Sequence, residues 1–461
     1  MNSLFYTLLA LFALLPLPRG TTFDWSWLLM AVIVYIMAAL WLIAYAKGRV
    51  QLTPAFRSAR YVLIIFVSWL GWNLLQIIPL PVGLLERIAP LSLELYSLAT
   101  PDIAFAPISI DVNATREQLI VGLAYMLIFA LVLLLVDSKK RLRIFTLWLS
   151  IIGVIQSVIA SLALFSGQEI YYASSSAQGT FANRNQLAGF LELNLAIGIG
   201  LLLASMSEVG SRSWRERLRG WAQSLLSRKV RLRIYLAIMV ITLVLTHSRM
   251  GNTAFFASMT IAGIMALLLM KRSPRPLVIL LTSLVIIDIF IVSQWFGLGR
   301  LQQRFEEMSG ETVSMDIRTN TVNRINTSIQ TRLLHKDAVL TGTGAGTYFT
   351  VFPAYQDIGQ IGFYQHAHND YLEFMADSGW IGILLLAAIV IISFMAAIRA
   401  MRARRHPLMR GMAFSSVMGI LSLMIHSTTD FNFHIPANAS LFMVILALGW
   451  IALAMPVGNR K

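Results

Sequence analysis

Apolar runs of membrane-crossing length, broken by short polar segments, recur along almost the whole chain. A transmembrane helix needs roughly 20 predominantly apolar residues. On that measure the pattern predicts spans at 4–18, 26–46, 61–78, 118–136, 144–166, 186–206, 234–247, 251–270, 277–296, 380–398, 411–426 and 437–455. The first run lacks a basic leader, and Pro16, Pro18 and Arg19 do not make a small-residue cleavage site, so it reads as a span and not a signal peptide. The expected fold is an all-α polytopic membrane protein with about twelve transmembrane helices. It forms one membrane domain over 1–461, with a large outer loop at 297–379.

Composition agrees with the pattern. The chain is 57% hydrophobic and 13% charged, with a mean hydropathy of +0.70. Soluble domains carry about 25% charged residues. Charge placement then orients the spans. With the N-terminus inside, the inside loops 47–60, 137–143, 207–233, 271–276, 399–410 and 456–461 hold 26 of the 37 Lys and Arg residues, and 17 of the 22 acids fall outside. Every inside loop is net positive, as the positive-inside rule demands. The net charge of +15 is therefore a topology signal and a means of resting on anionic lipid, with no nucleic-acid partner implied. The chain has no cysteine, so no disulfide can staple its outer loops.

The outer loop ends in the most polar stretch of the chain, Gln365-His-Ala-His-Asn-Asp-Tyr-Leu-Glu-Phe-Met-Ala-Asp377, just before the run at Trp380. Titratable groups gathered at a membrane surface point to a reaction site there. A short helix is predicted from about Asp370 to Ser378, capped by Asn369, with Asp370 and Glu373 at its positive end and Gly379 ending it. His366 and His368 then lie on or just before the helix start. Their i, i+2 spacing would put them on opposite sides of a helix, and no hydrolytic zinc motif or Asp-x-Asp pattern is present. A lone histidine acting as a general base fits better than a metal site, because neutral imidazole can take a proton from a sugar hydroxyl.

Other features bear on the same chemistry. Within the loop, 300–308 and 322–338 have helical composition. Gly342-Thr-Gly-Ala-Gly346 lacks the spacing of a nucleotide loop and reads as a tight turn with close backbone packing. Arg184, Arg249 and Arg332 lie outside, near the membrane. Each alone could snorkel to lipid phosphate, whereas several together suit a diphosphate. The last outer turn, His426-Ser-Thr-Thr-Asp430-Phe-Asn-Phe-His434-Ile-Pro436, is too polar for a plain connector. It is expected to pack under the large loop, with Asp430 bonding a donor in that loop.

The stretch His366–Glu373 before a span resembles the signature of the O-antigen ligase and polysaccharide polymerase family. So do Gly179–Asn185, Ser248-Arg249, the arginine ahead of Thr341–Gly346, and Asp430–Pro436. The resemblance covers about residues 170–440. It implies a multi-span, metal-independent, inverting glycosyltransferase without a cofactor, acting at the periplasmic face of a bacterial inner membrane with both termini cytoplasmic. The donor would be a glycan on undecaprenyl diphosphate, and the acceptor a glycan or lipid A–core. By position, His368 would be the base, Arg249 and Arg332 would hold the diphosphate, and Arg184 would assist. His366, Asn369, Asp430 and His434 would support them. Pro107–Asp111 and Ala114–Glu117 resemble exopolysaccharide polymerases more than ligases. A flippase of the same lipid-linked sugar is the alternative of another class. It is disfavoured because only Glu192 and Asp288 fall inside predicted spans.

Overall fold

The computed structural model describes residues 1–168, 170–171, 175–206, 228–270, 315–357 and 364–456. The protein is a helical membrane protein. Its main helices are α1 (Asn2–Leu14), α2 (Asp24–Ala46), α3 (Arg60–Gln76), α4 (Val112–Leu135), α5 (Lys139–Ser166), α6 (Arg184–Met206), α7 (Arg228–Leu245), α8 (Arg249–Leu269), α9 (Met315–Asp337), α10 (Asp370–Ala403), α11 (Pro407–His426) and α12 (Pro436–Ala454). Among the described residues, eight of these are long and apolar enough to cross a membrane: α2, α4, α5, α6, α8, α10, α11 and α12. The predicted span 277–296 and the helical stretch 300–308 lie outside the described residues.

Two expected spans are shorter than the pattern suggested. The run 4–18 is helical only to Leu14, because Pro16, Pro18 and a turn at Arg19–Thr21 with positive φ stop it. The run 61–78 ends at Gln76, where the chain turns toward Pro79. Helices α4 and α5 instead begin earlier than their apolar runs, each started by a side-chain cap. Asp111 accepts from Asn113 and Ala114, and Ser138 accepts from Arg141.

Helices α6 and α12 form the centre, 94% and 89% buried along their apolar windows, and α11 packs between them. A helix buried on all sides needs no amphipathic stripe, and these have none. Close approach of α6 and α11 rests on glycine: a Cβ on Gly200 would lie 2.3 Å from the Gly411 carbonyl oxygen. The segment between α3 and α4 folds into two short helices (Val82–Ile88, Pro90–Ala99). A two-residue antiparallel pair, Leu80–Pro81 with Phe105–Ala106, accompanies them.

Helix α10 positions the polar end of the molecule. Asn369 caps it by accepting from the backbone of Tyr371 and Leu372. Gly379 (φ 59°, ψ −167°) kinks it, so Asp370–Ser378 is a short arm and the membrane run begins at Trp380. The amides freed by the kink are taken up: Trp380 donates to the Val339 carbonyl at 3.0 Å and Ile381 to Leu340 at 3.4 Å.

Candidate active site

The glycine turn fixes the arm. Thr343 and Gly344 donate to the carbonyls of Ala376 and Asp377, both at 2.9 Å, and Gly346 donates to the Asp377 carboxylate at 2.8 Å. Ala345 donates to Gln76, whose amide in turn donates to the Thr341 carbonyl. These backbone donors are committed inside the protein, as expected for a packing turn rather than a phosphate cradle. The Pro107–Asp111 segment joins the same assembly, with Ile110 donating to the Thr343 carbonyl.

His366 and His368 precede the helix, so the i, i+2 argument for opposite faces does not apply. Both rings meet Phe431, His366 stacked at 4.4 Å between centroids and His368 edge-on at 5.0 Å. His368 has φ 51°, a left-handed conformation that a β-carbon disfavours. The next residues hold it there: Asn369 caps the helix and donates to the Thr428 carbonyl, and the Asp370 amide donates to the carbonyls of Ser427 and Asp430. Thus the 426–436 turn packs beneath the histidines, as its polarity suggested.

At the centre is a carboxylate the sequence reading treated only as a dipole partner. Glu373, buried, accepts from His366 Nδ1 at 2.7 Å, from the Ala367 amide at 2.8 Å and from His434 Nε2 at 3.2 Å. His434 Nδ1 donates to Asp370 at 2.9 Å. Burial disfavours a charged His434, but Glu373, Asp370 and Asp377 around it outweigh burial and push its pKa up to about 9. It is a buried imidazolium between carboxylates. With Nδ1–H given to Glu373, His366 presents Nε2 as an acceptor.

His366, Glu373 and His434 also have ligand atoms within 4.8 Å of one another, a spacing compatible with a metal ion. Their hydrogen bonds to one another already satisfy the facing atoms, and the doubly bonded His434 has no lone pair to offer a cation.

The arginines stand around this cluster. Arg184 is exposed at the start of α6, where its neighbour Asn185 donates to the Asp430 carboxylate, which thus bonds α6 and the Phe431 amide and not a donor of the large loop as expected. Arg249 is exposed at the start of α8, capped by Ser248. That turn of α8 lies against α6, with Gly251 beside Ala188 and Glu192. Arg332 is exposed on α9, one turn before His335, whose Nδ1 lies 3.2 Å from the Met375 carbonyl. All three therefore belong to the end of the bundle that carries the histidines. The signal that would have found Glu373 was its position one turn into a capped helix. Its partner His434 lies far along the chain and gave no local clue.

Below the cluster, Glu192 accepts from Ser422 at 2.7 Å and pairs with His426 Nδ1 at 2.8 Å, all three fully buried. The one predicted intramembrane acid that is described thus has partners close to the site.

Among curated proteins none matches the chain. A family model described as O-Antigen ligase matches residues 234–387, a stretch that includes Arg249, Arg332, His366, His368 and the arm through Gly379. Over these residues the chain is similar to the O-antigen ligase family.

Proposed function

We propose that the protein is a glycosyltransferase that moves a glycan from undecaprenyl diphosphate to a sugar hydroxyl at the periplasmic face of the inner membrane. In this reading it acts as a polysaccharide polymerase. The family match supports a ligase or polymerase-type reaction in a membrane. The observation that carries the rest is the pinned, left-handed His368 at the head of a capped helix, on the bundle end that also holds Arg184, Arg249 and Arg332.

In the proposed reaction His368 takes the proton of the acceptor hydroxyl as its oxygen attacks the anomeric carbon. The bond to the diphosphate breaks, and the arginines hold the charge that grows on the leaving group. Attack opposite the diphosphate inverts the linkage. Backbone donors of the glycine turn are occupied, so side chains must supply diphosphate binding. His366, with Nδ1–H on Glu373 and Nε2 left as an acceptor, is the competing base, its ring held against Phe431 and His434.

The test is transfer by purified protein from a lipid-diphosphate glycan to its acceptor. His368→Ala should lose about 10²-fold or more while still binding donor. Arg249→Ala and Arg332→Ala should lose donor binding, with only partial rescue by Lys. EDTA should leave the rate unchanged. If His368→Ala keeps its turnover and His366→Ala is dead, the base has been misassigned; if both are active, the mechanism fails. A ligase is the alternative reading, distinguished by which acceptor, lipid A–core or a carrier-linked repeat, is consumed.

A further inference from the structure

The pair formed by Glu192 and His426 takes no part in the proposed reaction, yet it is fully buried in the membrane part of the bundle. An intramembrane acid is costly, and a buried pair is a poor stabiliser next to apolar packing. Its place in the fold is specific. Glu192 Oε1, bonded to His426 Nδ1, also faces the first turn of α8: a Cβ on Gly251 would lie 3.1 Å from it, and 2.7 Å from Ala188 of α6. That turn is capped by Ser248, which accepts from the Gly251 amide at 3.2 Å, and it carries Arg249. Around His426 the end of α11 holds the histidine arm by three carbonyls. Met424 accepts from the Tyr371 hydroxyl at 2.8 Å, Ser427 from the Asp370 amide at 3.1 Å and Thr428 from the Asn369 side chain at 2.9 Å. Among the described residues His426 Nε2 meets no hydrogen-bond partner, so the ring is bonded through Glu192 alone.

Helix α8 packs on α11 and α6 and touches α10 little. The separation between Arg249 and His368 is therefore set through α6 and α11. The bonds among Glu192, Ser422 and His426 lie where those two helices meet the α8 turn. An inverting transfer needs the diphosphate ligand and the base at fixed positions on opposite sides of one carbon, and a misplacement of about 1 Å costs about 10²-fold. We propose that Glu192 and His426 are positioning residues that hold the Arg249 turn and the His368 arm in register, one buried pair serving both halves of the site. Hydrogen-bonded shape carries the role, not charge. Glu192→Gln keeps the bond from Ser422 at its oxygen and gives its amide to His426 Nδ1 in the other tautomer. This rests on the transferase reading above. It adds what places the two halves of that site relative to each other.

The test follows amide hydrogen exchange of the full chain in nanodiscs without substrate. Glu192→Leu should raise exchange about tenfold or more in residues 251–253 and 370–373 together. Asn194→Ala, on the same helix but facing α5, should leave both segments as they are. Ser422→Ala, which removes one bond, should show the same paired rise at smaller size, and serves if the Leu variant does not fold. A rise in one segment only, or in neither, overturns the bridge. Binding of a lipid-diphosphate glycan gives a second readout. Glu192→Leu should weaken it about tenfold or more and lower kcat, and Glu192→Gln should restore most of both. With Arg249→Ala already present, Glu192→Leu should cost little further donor affinity, since a misplaced arginine and a missing one lose the same contact. Additive losses, or a Gln variant as impaired as the Leu variant, overturn the positioning role. A wild-type protein that binds no lipid-diphosphate glycan would count against the transferase reading, while a paired rise in exchange would leave the bridge between the two turns standing.

Discussion

Glu373 meets its three donors with two carboxylate oxygens, and each donor belongs to a part of the site that must not move: the His366 ring, the backbone between the histidines, and His434. Glu373→Gln would turn one acceptor into a donor facing other donors. We expect it to act as loss of a positioning residue: kcat for transfer falls at least tenfold, donor binding is kept, and the pH profile changes shape. A Glu373→Gln enzyme with reduced turnover but an unchanged pH profile would reduce Glu373 to a structural role. The charge on His434 gives a stability prediction. Its pKa is raised from an ordinary histidine value near 6.5 to about 9. A raised folded-state value means the stabilisation is complete below about pH 6.5 and is lost as pH rises through about 9. The thermal midpoint in detergent should fall between pH 7 and pH 10, and His434→Gln should flatten that slope. Parallel slopes in the two proteins would argue against a paired imidazolium. The Asn369 cap and the polar turn around Asp430 can be read from the sequence because caps and loop polarity are local features. The Glu373–His434–Asp370 cluster could not, since it joins groups distant in the chain and only burial makes them partners.

Helix α10 depends on one glycine. A Cβ at Gly379 would come within 2.2 Å of the Leu340 carbonyl oxygen, and its φ is 59°. Gly48 has a similar φ of 67° with nothing near its would-be Cβ. Comparing Gly379→Ala with Gly48→Ala therefore separates strain from crowding. The Gly48 variant should lose about 1 kcal/mol. The Gly379 variant should lose more and also displace the arm, with reduced transfer. Equal losses in unfolding and activity would show that the close approach to Leu340 does not matter. Asn369→Ala, which removes the cap, should cost about 1 kcal/mol. At this scale the arm from Asp370 and its end at Gly379 were legible, because cap and breaker are written into adjacent residues. The stop of α1 was less so: counting apolar residues carried the run past Pro16 and Pro18, which the backbone does not follow.

Across the whole molecule, the charge count predicts that Lys229 lies on the cytoplasmic side and His368 on the periplasmic side. In this cysteine-free chain, Lys229→Cys and His368→Cys can be probed with a membrane-impermeant thiol reagent. Intact spheroplasts should be labelled at 368 and not at 229, and the opposite pattern would invert the topology. The truncated first helix bears on where the reaction lies. α1 has 13 residues, or about 20 Å of rise, and at its start Asn2 accepts from Arg141 in the first turn of α5. The turn that follows it is bonded into the histidine-bearing end of the bundle: Thr180 donates to the Pro16 carbonyl, and Ala437 to that of Gly20. If Arg141 marks one surface of a bilayer core about 30 Å thick, the floor beside the histidines lies about 10 Å short of the other. Under the proposed function, that end is a basin sunk into the membrane, and a sugar is lowered below the level of the lipid headgroups before it reacts.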